Sequence, residues 1–186
     1  ANNRVTVYYG VIDNPGALNA SVKGYYIPND TADYAYPNIS YAGSSGNDNQ
    51  AIICFDHSSD TKFPGCSVVK SDGAGNFSGI KSIATGTTYI NLLGNNLERW
   101  GDYMGSQRRY KNPGEVWISG YYAYRYSGNY PYAHGAWVAQ IFRDEDPEEL
   151  LNRIKGIYAV GEKEAPEVFK DGISLSAQET LTIVKY

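Results

Sequence analysis

Sulfur and imidazole are scarce in this chain of 186 residues, which holds two Cys, one Met and two His. Neither His57 nor His134 stands at a metal-ligand spacing or beside a Ser in a Gly-x-Ser-x-Gly turn, so the commonest metal and nucleophile motifs are missing. Long apolar runs are missing too. Nothing approaches the roughly 18 apolar residues of a membrane-spanning helix, and "ANNRVTVYYG" has neither a basic n-region nor an apolar h-region. Sixteen Lys and Arg against twenty Asp and Glu leave a net charge of -4, and the cations are scattered. A phosphate backbone needs a basic stripe, so nucleic acid is not an expected partner. The chain begins with Ala, which reads as a removed leader or a missing upstream part.

What is abundant is tyrosine and glycine, eighteen and twenty residues, against only five Phe. Tyr and β-branched residues suit pleated, half-wet surfaces, while Gly and Asn supply turns with positive φ. The expectation is an all-β protein with exposed loops, of the kind found secreted or at a cell surface. Cys54 in "QAIICFD" and Cys66 in "GCSVVK" fall in two apolar runs separated by "HSSDTKFP". If the runs form a hairpin, the cysteines lie on adjacent strands. In an extracellular chain that predicts a disulfide, with two buried free thiols as the alternative.

Strand candidates follow one another as far as Phe142. "RVTVYYGVID" and "ASVKGYYIPN" flank the turn "NPGALN" as one hairpin. "PNISYAG", "QAIICFDHS", "CSVVKSDG" and "GIKSIATG" then read as a four-stranded antiparallel meander. A second round begins at "RWGDYMGSQRRY" and continues through "GEVWISGYYAYRY" and "GAWVAQIFR", about sixty residues later. Repeated four-stranded units predict a partial β-propeller, with a β-sandwich as the alternative. The expected division is a hairpin of an incomplete blade over 1–36, two blades over 37–142, and an extension over 143–186.

"RWGDYMG", a Pro-Gly turn, "EVWISGYY" and "AWVAQI" together resemble the final blades of secreted bacterial propellers related to the sialidase superfold. With "YPNISYAG" through "GIKSIATG", the resemblance covers roughly residues 37 to 142. The Asp-box turn of sialidases has a degenerate counterpart in "SDGAGNF", residues 71 to 77, read as structural only. The resemblance implies a fold rather than a chemistry.

Within the opening of the second round, Trp100 and Trp117 are expected to pack between blades, as is Trp137 of "AWVAQI". Asp102 is expected to accept backbone N–H bonds after Gly101, and Arg99 to pair with a carboxylate or carbonyl. Three arginines so close in one blade, Arg99, Arg108 and Arg109, do not converge readily on one carboxylate ligand. "FDHSSD", with Asp56, His57 and Asp60, reads as a hairpin loop before it reads as a ligand cluster. Asp48 in "SSGNDNQ" offers a calcium ion one carboxylate without the spaced partners of a recognised loop. The stronger binding candidate is the run holding Tyr122, Tyr124, Tyr126, Tyr130 and Tyr132, because rigid aromatics with polar tips suit glycans and protein surfaces. At most half of them share one face of a strand.

After Phe142 the chain turns charged, and "PEELLNRIKGIY" carries an apolar stripe at helical spacing behind an N-terminal Pro, predicting a short helix. "GISLSAQETLTIVKY" returns to strand-like alternation. This ending resembles the junction before the C-terminal sorting domain of proteins exported by the type 9 secretion system of Bacteroidetes-like bacteria. The reading taken forward is a non-catalytic propeller in adhesion or as a scaffold. It would be completed by the remainder of a larger propeller or a partner chain, and would meet a glycan or surface protein. A fragment of a sialidase-like glycoside hydrolase and a carbohydrate-binding module are the alternatives.

Overall fold

In the computed structural model, residues 4–29, 31–93, 97–125, 132–143 and 156–158 are described. The first alternating segments pair as expected: β1 (Tyr8–Asp13) and β2 (Ser21–Tyr26) form an antiparallel hairpin in the register Tyr8 opposite Tyr26 and Asp13 opposite Ser21. β3 (Asp33–Tyr41), β4 (Ala51–Ser58), β5 (Gly65–Ser71) and β6 (Lys81–Ala84) then make a four-stranded antiparallel meander in sequential order. β7 (Gly105–Arg108), β8 (Glu115–Arg125), β9 (Tyr132–Phe142) and β10 (Gly156–Tyr158) repeat that order in a second sheet. The protein is all-β, with no helix among the described residues. The helix expected over "PEELLNRIKGIY" ends instead in β10, whose Gly156–Tyr158 pairs with Ala136–Val138 of β9, so pairing to an open sheet edge overrides the apolar stripe there. Residues 147–155 of that expected helix, and the strand expected over "GISLSAQETLTIVKY", lie outside the described residues.

The two meanders pack face to face. Ile52, Cys54 and Val68 of the first sheet meet Val116, Ile118, Trp137 and Ile141 of the second in one buried cluster. Strand alternation assigns these faces: in β4 the even residues Ile52, Cys54 and Asp56 point to the second sheet, and the odd residues Ile53, Phe55 and His57 point the other way. The opposite side is closed by the hairpin, with Val7 and Ile27 packed on Ile53, Phe55 and Val69. The first sheet is thus covered on both faces, which is why "AIICFDH" reads as a continuous apolar run rather than an alternating one. At the join, β3 runs beside β7, where the Ser106 hydroxyl donates to Ser40 Oγ at 2.6 Å and the Asn38 amide donates to the Met104 carbonyl at 3.0 Å.

One glycine is needed for this packing. Gly120 sits opposite Trp137, and a Cβ there would stand 2.5 Å from Met104 Sδ and 3.1 Å from the indole. Trp137 is therefore fully buried between the sheets, as expected. Trp117 is not. It is one residue out of phase with Val116 and Ile118, so it lies half-buried on the outer face of the second sheet, where its indole N–H donates to Glu115.

The expected disulfide is absent: Cys54 and Cys66 are both free and buried. They do lie on adjacent strands and the same face, but Cys54 stands opposite Val68 and Cys66 opposite Asp56. That makes them diagonal neighbours, about 7–8 Å apart at Cα, whereas a disulfide spans roughly 4.4–6.8 Å. Burial pushes the Cys54 thiol up to about 12 and the Cys66 thiol well above its ordinary value.

Candidate functional site

The loop carrying "RWGDY" is built on one strained position and one bulge. Gly101 has φ +84°, and a Cβ there would stand 2.1 Å from Asp56 Oδ2, so glycine is required both by the backbone and by the carboxyl beneath it. In β3 a bulge between Ala35 and Asn38 holds Tyr36 at φ +49°. Its hydroxyl donates to Asp102. Asp102 also takes the Arg99 guanidinium at 2.6 Å, and these two donors hold its carboxyl below the usual range. The backbone N–H bonds expected of Asp102 are replaced by side-chain donors, because the bulge delivers a tyrosine hydroxyl from a strand some sixty-six residues away in sequence.

The three arginines part company, each to its own partner. Arg99 is exposed on Asp102, Arg108 lies over the rings of Tyr41 and Tyr110 at 4.8 and 5.2 Å, and Arg109 reaches Glu115 at 2.9 Å. Glu115 is 3 % exposed and also accepts from Asn112, Trp117 and Gln140. Burial pushes that carboxyl up, and the four donors outweigh it, leaving it below its ordinary value.

Asp56 and His57 lie in strand β4 rather than in a loop. Being consecutive, they face opposite sides of the sheet and do not act on a common ligand. Asp56 is 1 % exposed, neither carboxyl oxygen has a hydrogen-bond partner among the described residues, and burial pushes it up to about 8. His57 donates to or accepts from Ser67 Oγ at 2.8 Å through Nδ1, while its Nε2 is buried without a partner among the described residues. Burial pulls its imidazole down to about 3. The loop begins only at Ser59, so Asp60 is exposed and separate from them.

The described tyrosines of the run do not form one exposed surface. Tyr122 is buried on the inner face against Gly135, where a Cβ would come within 2.6 Å of its ring, and burial raises its hydroxyl to about 12. It cannot meet a ligand on the surface. Tyr124 packs half-buried against the same core. Tyr132 stacks on Tyr89 with ring centroids 4.4 Å apart. Tyr126 and Tyr130 lie outside the described residues. Asp48 accepts from the Ser44 and Gln50 amides and from Arg143 at 2.9 Å. No group of three or more His, Cys, Asp or Glu suited to a metal occurs among the described residues.

In "SDGAGNF" the Asp72 carboxylate accepts the Ala74 and Asn76 amides at 2.8 and 3.1 Å and the Asn76 side chain at 2.6 Å. It closes a turn between β5 and β6, with Phe77 packed under the hairpin.

A concave site does form beside Trp100. The connection from β6 to β7 and the loop from β4 to β5 enclose a half-open cavity of about 430 Å³, lined by Asp60, Lys62, Phe63, Tyr89, Glu98 and Trp100 among others. Trp100, expected in the core, is half-buried in this wall. Sequence reading missed Lys62, Phe63 and Tyr89, which stand in turn-rich segments with no periodicity to single them out. No known protein family, curated protein or solved structure matches the chain.

Proposed function

We propose that the chain supplies adjoining blades of a secreted or cell-surface β-propeller that serves adhesion or scaffolding rather than catalysis. The observation that carries this reading is the first meander, buried on both faces by its neighbours in the chain. A two-layer sandwich leaves each sheet one face for solvent, whereas propeller blades stack in series, each between two others. The shared strand order and the contact of β3 with β7 fit successive blades whose first strands line a common axis. Asp102 of "RWGDY" and Glu115 are committed to arginines and hydrogen bonds, which suits a structural role.

In this reading another blade covers the hairpin. Tyr8, Ile12, Val22 and Tyr26 share its outer face, each more than half exposed. A contiguous apolar patch of this kind on a paired sheet marks an interface. Residues 1–186 alone should therefore bind a hydrophobic dye and self-associate, and Ile12→Thr with Val22→Thr should reduce both while keeping strand propensity. A monomer that binds no dye would remove the reason for a covering blade and return the sandwich to first place.

A further inference from the structure

We infer that the cavity between the β4–β5 loop and the β6–β7 connection binds a neutral pyranose sugar. This goes beyond the propeller reading and does not depend on it. A pyranose ring presents apolar C–H faces and a rim of hydroxyls, each both donor and acceptor. The cavity matches both features. Phe63 and Tyr89 are each about half exposed, at 48 % and 49 %, and Trp100 is half-buried beside them, so three aromatic side chains offer apolar surface in one small concavity. Around them stand a donor, Lys62, an acceptor, Asp60, and the hydroxyls of Ser59 and Thr61, which do either.

Charge gives an anionic ligand no net advantage. Among the described residues Lys62 is the one cation lining the cavity, against Asp60 and Glu98, and Asp60 also meets Arg4 at 3.5 Å, so the site carries no net positive charge. A carboxylated or sulfated sugar would gain no net attraction over a neutral one, and a purely apolar ligand would strip water from the charged rim. Glu98 is held elsewhere, accepting the Leu92 amide at 3.1 Å and the Leu93 amide at 3.0 Å, so its part is to fix the wall. Lys62 has no ion-pair partner among the described residues, and its partly buried ammonium, lowered by burial, is open to a ligand as a donor. A sugar hydroxyl supplies an acceptor.

The walls are set before any ligand arrives. Ser59 and Lys62 exchange backbone hydrogen bonds at 2.9 and 3.4 Å, and the Pro64 carbonyl takes the Ala123 amide at 2.9 Å, fixing the loop to β8. On the other side Tyr89 stacks on Tyr132, and the Asn91 amide donates to the Tyr132 carbonyl at 2.9 Å. A preformed cavity of this volume saves the ordering cost that flexible loops impose on a weak ligand, and takes about one or two sugar rings.

The test is titration of the purified protein with neutral gluco-, galacto- and manno-oligosaccharides, and with a uronate oligosaccharide, by calorimetry and tryptophan fluorescence. Saturable binding of a neutral sugar is expected, weakened about tenfold or more by Phe63→Ala and by Lys62→Ala. Both residues lie on an exposed loop, so melting temperatures should hold. Tyr26→Ala on the distant hairpin should leave binding unchanged. Absence of binding across the neutral panel would overturn the inference, as would tighter binding of the uronate. Binding that survives both loop variants would place the sugar elsewhere and also overturn it. None of these results bears on the dye binding that tests the propeller reading.

Discussion

Asp56→Asn should stabilise the protein at pH 8 by several kcal/mol and leave it nearly unchanged at pH 4. Burial beneath Gly101 raises the Asp56 carboxyl from 3.8 to about 8, so the folded protein keeps a proton that the unfolded chain releases. Stability contributed by this group is complete below about pH 4 and is lost as pH rises to about 8. Each pH unit across that window costs about 1.4 kcal/mol at full effect. His57 has the opposite slope. Its folded imidazole is depressed from 6.5 to about 3, so stability rises with pH over that range. The two slopes largely cancel between about pH 4 and 6.5, and Asp56 alone governs the decline from 6.5 to 8. The thiols add their own decline only above pH 9. Urea midpoints measured from pH 4 to 8 should therefore be level up to about 6.5 and fall above it in the native sequence, whereas in Asp56→Asn they should rise up to about 6.5, on the His57 slope alone, and stay level above it. A variant less stable at every pH would mean that the carboxylate is ionised and paired in the folded state.

Trp137→Ala should carry the largest loss of any single truncation in the core. The indole is 1 % exposed and bridges both sheets, over Gly120 and against Met104. Removing a buried aromatic of this size costs about 3–5 kcal/mol, equivalent to a fall of roughly 6–20 °C in melting temperature. Trp137→Phe should lose much less, because it keeps the ring on Gly120 and removes an indole N–H that has no partner among the described residues. Trp117→Ala, on the outer face, should lose about 1–2 kcal/mol, mostly its bond to Glu115. Equal losses at Trp117 and Trp137 in thermal melts would contradict the assignment of the two faces.

Those two tryptophans show where sequence reading succeeds and where it stops. The order and approximate limits of β1 to β9 follow from apolar patterning and turn residues, because β-branched and aromatic runs broken by Gly, Asn and Asp have few other uses. Facing is harder. A strand buried on both sides, such as "AIICFDH", carries no alternation, so nothing marks Asp56 as pointing into the join of the sheets or His57 as pointing away. Counting by twos from Ile52 does place Asp56 on the same face as Cys54, a signal hidden by reading "FDHSSD" as a loop. The cysteines fail for a related reason: adjacency of strands was legible, but a bridge depends on register, and the register here is diagonal. The apolar stripe ending at Ile157 has helical spacing, yet β9 offers Gly156–Tyr158 an edge, a tertiary partner that no local pattern reports. The cavity beside Trp100 is assembled from two segments whose nearest lining residues, Pro64 and Tyr89, are 25 positions apart, so its aromatics could not be grouped in advance.

The central claim is that the second meander lies on the first with β7 against β3, as one blade on the next. A double variant, Ser40→Cys with Ser106→Cys, tests it most directly, since the native hydroxyl oxygens stand 2.6 Å apart across that join. After mild air oxidation, peptide mapping without reduction should recover a cross-linked peptide joining residues 40 and 106, with Cys54 and Cys66 still reduced and the native melting temperature kept or raised. Thiols at 40 and 106 that remain free in the folded protein would contradict the packing of the two sheets, and the propeller reading with it.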